Sequence, residues 1–221
     1  MSTTVENPWF SWRYVENNWT DIVDLTGQHV SLTVQTMLIA LVVALPLGLL
    51  ARRRPAFAAA VLGTSAVLYT VPSLALFGLL VPFTGIGRTT VLIGLVAYAM
   101  LVLVRNILVG LQGVPAEVLD AARGMGYSPR RQLLAVELPL ALPTIVVGVR
   151  LATVTTVALV TVGVVVGYGG LGQLMFRGFS SNYRAEILTA TVLCLAIALV
   201  ADVLLLALGR ALMPWSRRRL P

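Results

Sequence analysis

The chain alternates long apolar stretches with short polar ones, and five of the apolar stretches are long enough to cross a membrane. About 20 apolar residues in a helix span the roughly 30 Å of hydrocarbon in a bilayer. The stretches that reach this length lie at about 31–51, 56–81, 90–111, 143–166 and 186–209. The pattern predicts an all-α polytopic membrane protein with five transmembrane helices in one domain, 31–213.

Polar segments at the two ends and in the middle complete this organisation. Residues 1–30 contain Glu6, Glu16, Asp21 and Asp24, so they lack the apolar core of a cleaved signal peptide. They predict an amphipathic segment that lies in the lipid–water interface on the external side of the membrane. Its apolar face consists of Trp12, Val15, Trp19, Ile22 and Val23. Residues 112–142 form a polar loop, and residues 214–221 form a basic tail.

Composition supports burial in lipid, because 58% of the residues are hydrophobic and only 11% are charged. The positive charges are all arginines, since the chain contains no lysine. An N-terminus outside and a C-terminus in the cytoplasm satisfy the positive-inside rule. This orientation leaves Arg13, Arg88, Arg177 and Arg184 outside. It gives the cytoplasm Arg52, Arg53, Arg54, Arg123, Arg130, Arg131, Arg210, Arg217, Arg218 and Arg219.

The net charge of +7 indicates membrane orientation rather than binding to nucleic acid. The arginines cluster at the ends of apolar stretches, and exposed aromatic residues are not interleaved with them as in a nucleic-acid interface. We therefore expect no nucleic-acid partner and a multi-pass location in a cell membrane.

The loop 112–142, cytoplasmic in this orientation, contains the signals of two short helices joined by a turn. Pro115 suits a helix start, and Gly126 is placed to end that helix in a left-handed conformation. Ser128 before Pro129 is typical of an N-cap followed by proline at the first helical position. The second helix is expected to stop at Pro139 and Pro143.

The residues of this loop resemble the docking motif of permease subunits in ATP-binding-cassette (ABC) importers. That motif reads Glu-Ala-Ala, three residues, Gly, nine residues, Ile, one residue, Leu-Pro. This sequence keeps the spacing, and its only two departures are aspartate for glutamate and valine for isoleucine. The matching residues are Asp120, Ala121, Ala122, Gly126, Val136, Leu138 and Pro139.

The resemblance implies a type I ABC importer permease fold, similar to that of methionine permeases, and a subunit without catalytic activity. In such importers the loop is a coupling helix that fits a cleft of a separate ATPase subunit, which binds ATP and Mg. Ala121 and Ala122 would allow that surface to approach closely. The other implied partners are a second permease, identical or homologous, and an extracytoplasmic substrate-binding protein. The chain itself would carry no cofactor and no metal.

Three further stretches resemble the quaternary-amine, or osmoprotectant, branch of this family: 70–80, 136–143, and 169–172 with 176–178. This resemblance implies glycine betaine, choline, carnitine or proline betaine as cargo. Importers of methionine, other amino acids or sulfonates share the docking motif and remain an alternative. A secondary transporter that uses Asp202 without any ATPase is a second alternative, and a scaffold subunit without transport activity is a third.

The candidates for the translocation pathway are Tyr69, Pro72 and Ser73 in the second span. Proline removes one helical hydrogen bond, so Pro72 predicts at least a kink. That kink is either a packing bend or a broken segment that exposes polar backbone to the pathway. The aromatic residues of the spans form no evident cage for a cation, because Tyr69, Phe77, Phe83 and Tyr98 are scattered singly along the sequence.

The remaining polar residues of the spans predict structural roles. Asp202 is expected in an ion pair or a water contact, with Arg210 two turns away, and Arg105 and Arg150 are expected to anchor the helices at the cytoplasmic face. His29 is expected to make an interfacial hydrogen bond. The glycines of 167–172 literally match G-x-G-x-x-G, but no strand precedes them, so they predict close packing rather than nucleotide binding.

Overall fold

The computed structural model describes residues 7–215, whose regular structure is helical throughout. The basic residues Arg217, Arg218 and Arg219 of the predicted tail lie outside this range. The elements are α1 (Trp12–Asn17), α2 (Trp19–Ala51), α3 (Pro55–Thr70), α4 (Ser73–Thr84), α5 (Arg88–Gln112), α6 (Ala116–Gly124), α7 (Pro129–Gln132), a π-helical turn (Leu133–Glu137), α8 (Leu138–Val160), a 3₁₀ segment (Thr161–Val166), α9 (Gly172–Ser181) and α10 (Arg184–Leu212).

Four helical segments among the described residues are long and apolar enough to cross a membrane. They are Trp19–Ala51, Arg88–Gln112, Pro129–Val166 and Arg184–Leu212. The predicted span 56–81 is instead two helices, α3 and α4, bent by 102° at a two-residue break, and it counts as a fifth span if the pair is taken together. The break falls at Val71 and Pro72, where the sequence predicts at least a kink.

The first spanning helix begins earlier than the sequence predicts. Helix α2 starts at Trp19 and runs for 33 residues, so the second half of the predicted interfacial segment belongs to it. Asp21 and Asp24 make this stretch appear too polar for a span, but Asp21 lies in the first turn of the helix, where an acid complements the helix dipole. Of the predicted apolar face, Ile22 is buried, whereas Trp12 and Trp19 are exposed.

The chain divides into two compact units, each drawn from three stretches. The first takes the chain up to Thr36, Val71–Val96 and Val154–Val200. One of its apolar clusters surrounds Phe77, Leu95 and Val160. A second cluster holds Tyr14 and Ile22 against residues around α9 and the start of α10, including Leu171 and Leu174. These contacts fix α1 and α9 within the unit.

The second unit takes Met37–Thr70, Ala97–Thr153 and the chain from Ala201 onward. Its helices approach closely at small residues, as is common in membranes, where backbones pack through glycine and alanine. A Cβ on Gly110 would lie 2.9 Å from the carbonyl oxygen of Ala141, so α5 and α8 touch almost backbone to backbone. This unit contains the loop that resembles the docking motif.

Candidate functional site

The first helix of the loop is built as the sequence predicts. Pro115 precedes α6, and the chain reverses at Gly126, whose φ of +77° lies in the left-handed region that favours glycine. The Tyr127 amide donates to the Ala122 carbonyl at 3.1 Å, and the Gly126 amide donates to the Arg123 carbonyl at 2.9 Å. These two bonds form a Schellman motif, which satisfies carbonyls at the end of α6.

The second helix begins as predicted, but it does not stop at the prolines. The Ser128 hydroxyl accepts a hydrogen bond from the Arg131 amide at 3.4 Å, and Pro129 occupies the first position of α7. The chain then passes through the π-helical turn directly into α8, which contains Pro139 and Pro143. The prediction of a stop was wrong, because this wide turn lies where the Pro139 ring would otherwise meet the Ala135 carbonyl.

The motif residues are divided between the surface and the interior. Asp120 is exposed, and its carboxylate lies 3.1 Å from the Arg123 guanidinium, one helical turn away. Ala121 is exposed, but Ala122 is buried, so the expectation that both alanines face an approaching surface was wrong for Ala122. Consecutive residues are about 100° apart around a helix, so Ala122 lies on the inner side of α6 while Ala121 lies on its outer side. Val136, Leu138 and Pro139 are half-buried near the start of α8.

Glu137, at a position that the motif leaves unspecified, anchors the loop to the segment after α2. Its Oε2 accepts a hydrogen bond from Arg52 Nη1 at 2.6 Å, and its Oε1 accepts one from Gln132 Nε2 at 3.2 Å. Arg53 Nη2 lies 3.8 Å from the same Oε1. The Arg52 and Glu137 side chains are only 10% and 7% exposed. Burial lowers the pKa of Arg52, whereas the charge of Glu137 opposes that shift.

A pocket of about 480 Å³ opens beside this ion pair, and its lining includes Arg52, Arg53, Arg123, Tyr127 and Glu137. Two features of the sequence could have revealed the pair. One is a single acid within the apolar run 133–146, and the other is the arginine cluster 52–54 directly after a span. Besides its predicted role in orienting the chain, that cluster supplies the partner of Glu137.

A second charge pair lies between two spanning helices. Arg150 of α8 donates from Nε to Asp202 Oδ1 at 2.8 Å and from Nη2 to Oδ2 at 2.7 Å. Such a two-pronged contact fixes the relative orientation of both groups. The ion pair predicted for Asp202 is confirmed, but its partner is Arg150, which was expected only to anchor a helix end.

The pathway candidates cluster at the break between α3 and α4. Tyr69 is the second-last residue of α3, Pro72 precedes α4, and Ser73 is the first residue of α4. The sequence suggested that Tyr69 and Tyr98 are isolated from each other. In the structure their rings contact edge to face, with centroids 5.8 Å apart. The pairing was not visible in the sequence, since 29 positions separate the two tyrosines.

Around α9 the first unit has its own polar contacts. Arg177 lies 2.9 Å from Asp21 and 3.2 Å from Glu186. Burial lowers the pKa of Arg177, but the bond to Asp21 and the charge of Glu186 outweigh it and raise the pKa. His29 is fully buried, with Nε2 3.1 Å from the Val157 carbonyl oxygen, so the predicted hydrogen bond exists within the protein interior rather than at an interface.

Residues 37–218 match the model of the family described as binding-protein-dependent transport system inner membrane component. The chain belongs to this family. It is therefore a multi-pass membrane permease component of an ABC transporter, and the predicted family resemblance is confirmed.

Named relatives cover nearly the whole chain. The choline transport system permease protein OpuBB of Bacillus subtilis is 30% identical over 94% of this chain and 96% of its own length. The carnitine transport permease protein OpuCB of Listeria monocytogenes is 32% identical over 89% of each chain. The osmoprotectant import permease protein OsmW of Salmonella typhimurium is 37% identical over 91% of this chain and 96% of its own.

A solved structure shows the same fold. A chain of the MetNI methionine ABC transporter, in an inward-facing conformation, aligns with a TM-score of 0.80 at 24% identity. The match covers 89% of this chain and 98% of that chain. The predicted all-helical, methionine-permease-like fold class is therefore confirmed.

Proposed function

We propose that the chain is the permease subunit of an ATP-driven importer of osmoprotectants, such as glycine betaine, choline, carnitine or proline betaine. The observation that carries this proposal is the set of relatives above, which are named for choline, carnitine or osmoprotectant transport and match this chain almost end to end.

Coupling to a separate ATPase is the second element of the proposal. The exposed Asp120 and Ala121 lie on a short helix that a Schellman turn ends sharply, which makes a compact projection suited to a cleft. Behind it, the Arg52–Glu137 pair ties the loop to the end of α2. ATP and Mg would be bound by the ATPase, and this chain would transmit the resulting movement.

The proposed assembly contains a second permease, identical or homologous, and an extracytoplasmic substrate-binding protein. The orientation, with the N-terminus outside, is supported by how the arginines are distributed. Arg13, Arg88, Arg177 and Arg184 belong to the first unit. The second unit holds the described members of the predicted cytoplasmic set, which are Arg52, Arg53, Arg54, Arg123, Arg130, Arg131 and Arg210.

The test is uptake of labelled glycine betaine, choline and carnitine into liposomes that contain the permease complex, its ATPase and its binding protein. We expect uptake only with ATP inside. Uptake that needs no ATP would indicate a secondary transporter instead. A complex that hydrolyses ATP but moves none of these amines would retain the ABC mechanism and assign the cargo to amino acids or sulfonates.

The orientation can be tested separately, because Cys194 is the only cysteine. In a Cys194→Ser background, Ser181→Cys should react with a membrane-impermeant maleimide on intact cells. Asp120→Cys should react only after the cells are permeabilised. Both positions are exposed in the chain, so the reverse pattern would overturn the proposed topology.

A further inference from the structure

Carboxylates could attract a cation inside the membrane, but those of the segment from the π-helical turn to α10 already face arginines. Glu137 lies 2.6 Å from Arg52, and Asp202 lies 2.7 Å from Arg150. Glu186 lies 3.2 Å from Arg177. Residues 55–112, which form α3 to α5, contain no Asp or Glu at all. A quaternary ammonium that passes α3 to α5 can therefore be attracted mainly by aromatic rings.

Tyr69 provides such a ring. Its side chain is 43% exposed at the end of α3, whereas Tyr98 on α5 is buried. The two ring planes meet at 72°, so the tyrosines contact edge to face, and Tyr69 is the member of the pair that stays accessible. A cation over the face of tyrosine is attracted by the ring quadrupole without any ion pair.

The position of Tyr69 argues that its exposed side faces water or protein rather than lipid. Helix α3 has 16 residues, which at 1.5 Å per residue places its end about 24 Å from Pro55. The helix ends at Thr70. Both Thr70 and Pro72, which lies in the break, are exposed. Irregular backbone at membrane depth survives where it lines a cavity or is covered by protein, because hydrocarbon offers no hydrogen bonds.

We propose that Tyr69 contacts the quaternary ammonium group of the cargo directly during transport, and that Tyr98 is a positioning residue for its ring. The inference rests on the proposed function and extends it to a substrate-contacting residue of the permease. A trimethylammonium group spreads its positive charge over its methyl groups. The face of an aromatic ring is therefore a better partner for this group than a carboxylate, whose charge is localised. A contact without an ion pair is also weak enough to release its cargo.

The test replaces Tyr69 with phenylalanine and then with phenylalanines that carry one, two and three ring fluorines, since each fluorine weakens the ring quadrupole while changing its shape little. The readout is the initial rate of ATP-driven glycine betaine uptake by the complete complex in liposomes. We expect Tyr69→Phe to retain uptake and the rate to fall stepwise with each fluorine. Tyr69→Leu should lower the rate by about 2- to 30-fold, the range that a cation–π contact supports.

Two controls separate contact from structure. Phe83→Leu removes an aromatic ring that is 86% exposed on α4, and we expect it to leave the rate unchanged. In a Tyr98→Leu background the fluorine series at position 69 should become shallower, because the ring is no longer held. A mere packing role for Tyr98 would lower all rates equally and leave the slope intact.

The outcomes distinguish this inference from the proposed function. If the unaltered complex takes up betaine with ATP but the rate is flat across the fluorine series, the contact is refuted and the importer stands. If Tyr69→Leu and Phe83→Leu reduce uptake equally, the contact is refuted in the same way. An unaltered complex that transports no quaternary amine overturns the proposed function and this inference with it.

Discussion

Arg52 and Glu137, 85 residues apart in the chain, form a buried ion pair whose hydrogen bond is 2.6 Å long. The pair joins the segment after α2 to the π-helical turn before α8, so it links the motif loop to the first spanning helix. Removing one partner of such a pair is costly, because the other charge stays buried without compensation.

We therefore expect Glu137→Gln to lower the free energy of unfolding in mixed micelles by about 3–5 kcal/mol. Replacing both partners, as Arg52→Met with Glu137→Leu, should restore most of that loss, because a well-packed apolar pair of similar volume is often neutral. Asp120→Asn is the matched control, since its pair with Arg123 is exposed and contributes at most about 1 kcal/mol. Equal effects at the two sites would contradict the anchoring role.

Gly126→Val should leave membrane insertion intact but abolish co-purification with the ATPase. Among the described residues, no atom beyond Gly126 and its two chain neighbours lies within 4 Å of where a Cβ would stand at Gly126, so any effect arises from the backbone. The left-handed conformation costs a residue with a Cβ about 1–2 kcal/mol, which would redirect the chain toward α7.

Gly126→Asn is the control for this variant, because asparagine tolerates the left-handed region. It should retain ATPase binding in the same pull-down assay. Normal co-purification of Gly126→Val would refute the assignment of this loop to coupling.

Asp202→Asn should reduce the amount of folded permease in the membrane, since it leaves Arg150 without its two-pronged partner. The charge-swapped double variant, Arg150→Asp with Asp202→Arg, should recover part of the loss. Detergent-solubilised protein measured by size-exclusion chromatography gives the readout. If Asp202→Asn instead folds normally and only alters the pH dependence of uptake, the residue serves proton coupling and the secondary-transporter alternative gains support.

Gly172→Ala should destabilise the first unit, because a Cβ there would collide with the backbone of Thr161. Overpacking against backbone costs about 1–3 kcal/mol. Gly63→Ala on α3 is the matched control, since its Cβ would meet no described atom outside the nearby backbone of its own helix within 4 Å. Alanine also favours the helix by up to about 1 kcal/mol relative to glycine. Thermal melts of the two purified variants should therefore shift in opposite directions.

Local signals in the sequence predicted the parts of the loop that depend on neighbouring residues. Gly126 and the Ser128-Pro129 pair act through backbone geometry and capping within four positions, so their roles could be anticipated. The four apolar spans outside the broken pair were also evident, because hydropathy is a property of consecutive residues. The family followed from the spacing of the same loop.

Contacts between distant positions could not be predicted in this way. Helix packing brings together the pairs Glu137 with Arg52, Asp202 with Arg150, and Tyr69 with Tyr98. The sequence offers several possible partners for each of these residues. The predicted helix stop at Pro139 and Pro143 was wrong for a related reason. Whether Pro139 stops a helix depends on the turn before it, and the π-helical turn has no distinctive sequence signature.

That wide turn also determines how the loop is phased relative to α8. A π-helical turn holds about one residue more than an α-helical turn, and each residue rotates a helix by about 100°. If Leu133–Glu137 became an ordinary α-helical turn with all its residues kept, α7 and Gly126 would rotate by about 100° around the axis of α8. The wide turn between Gly126 and Leu138 thus sets the direction in which the motif loop leaves α8.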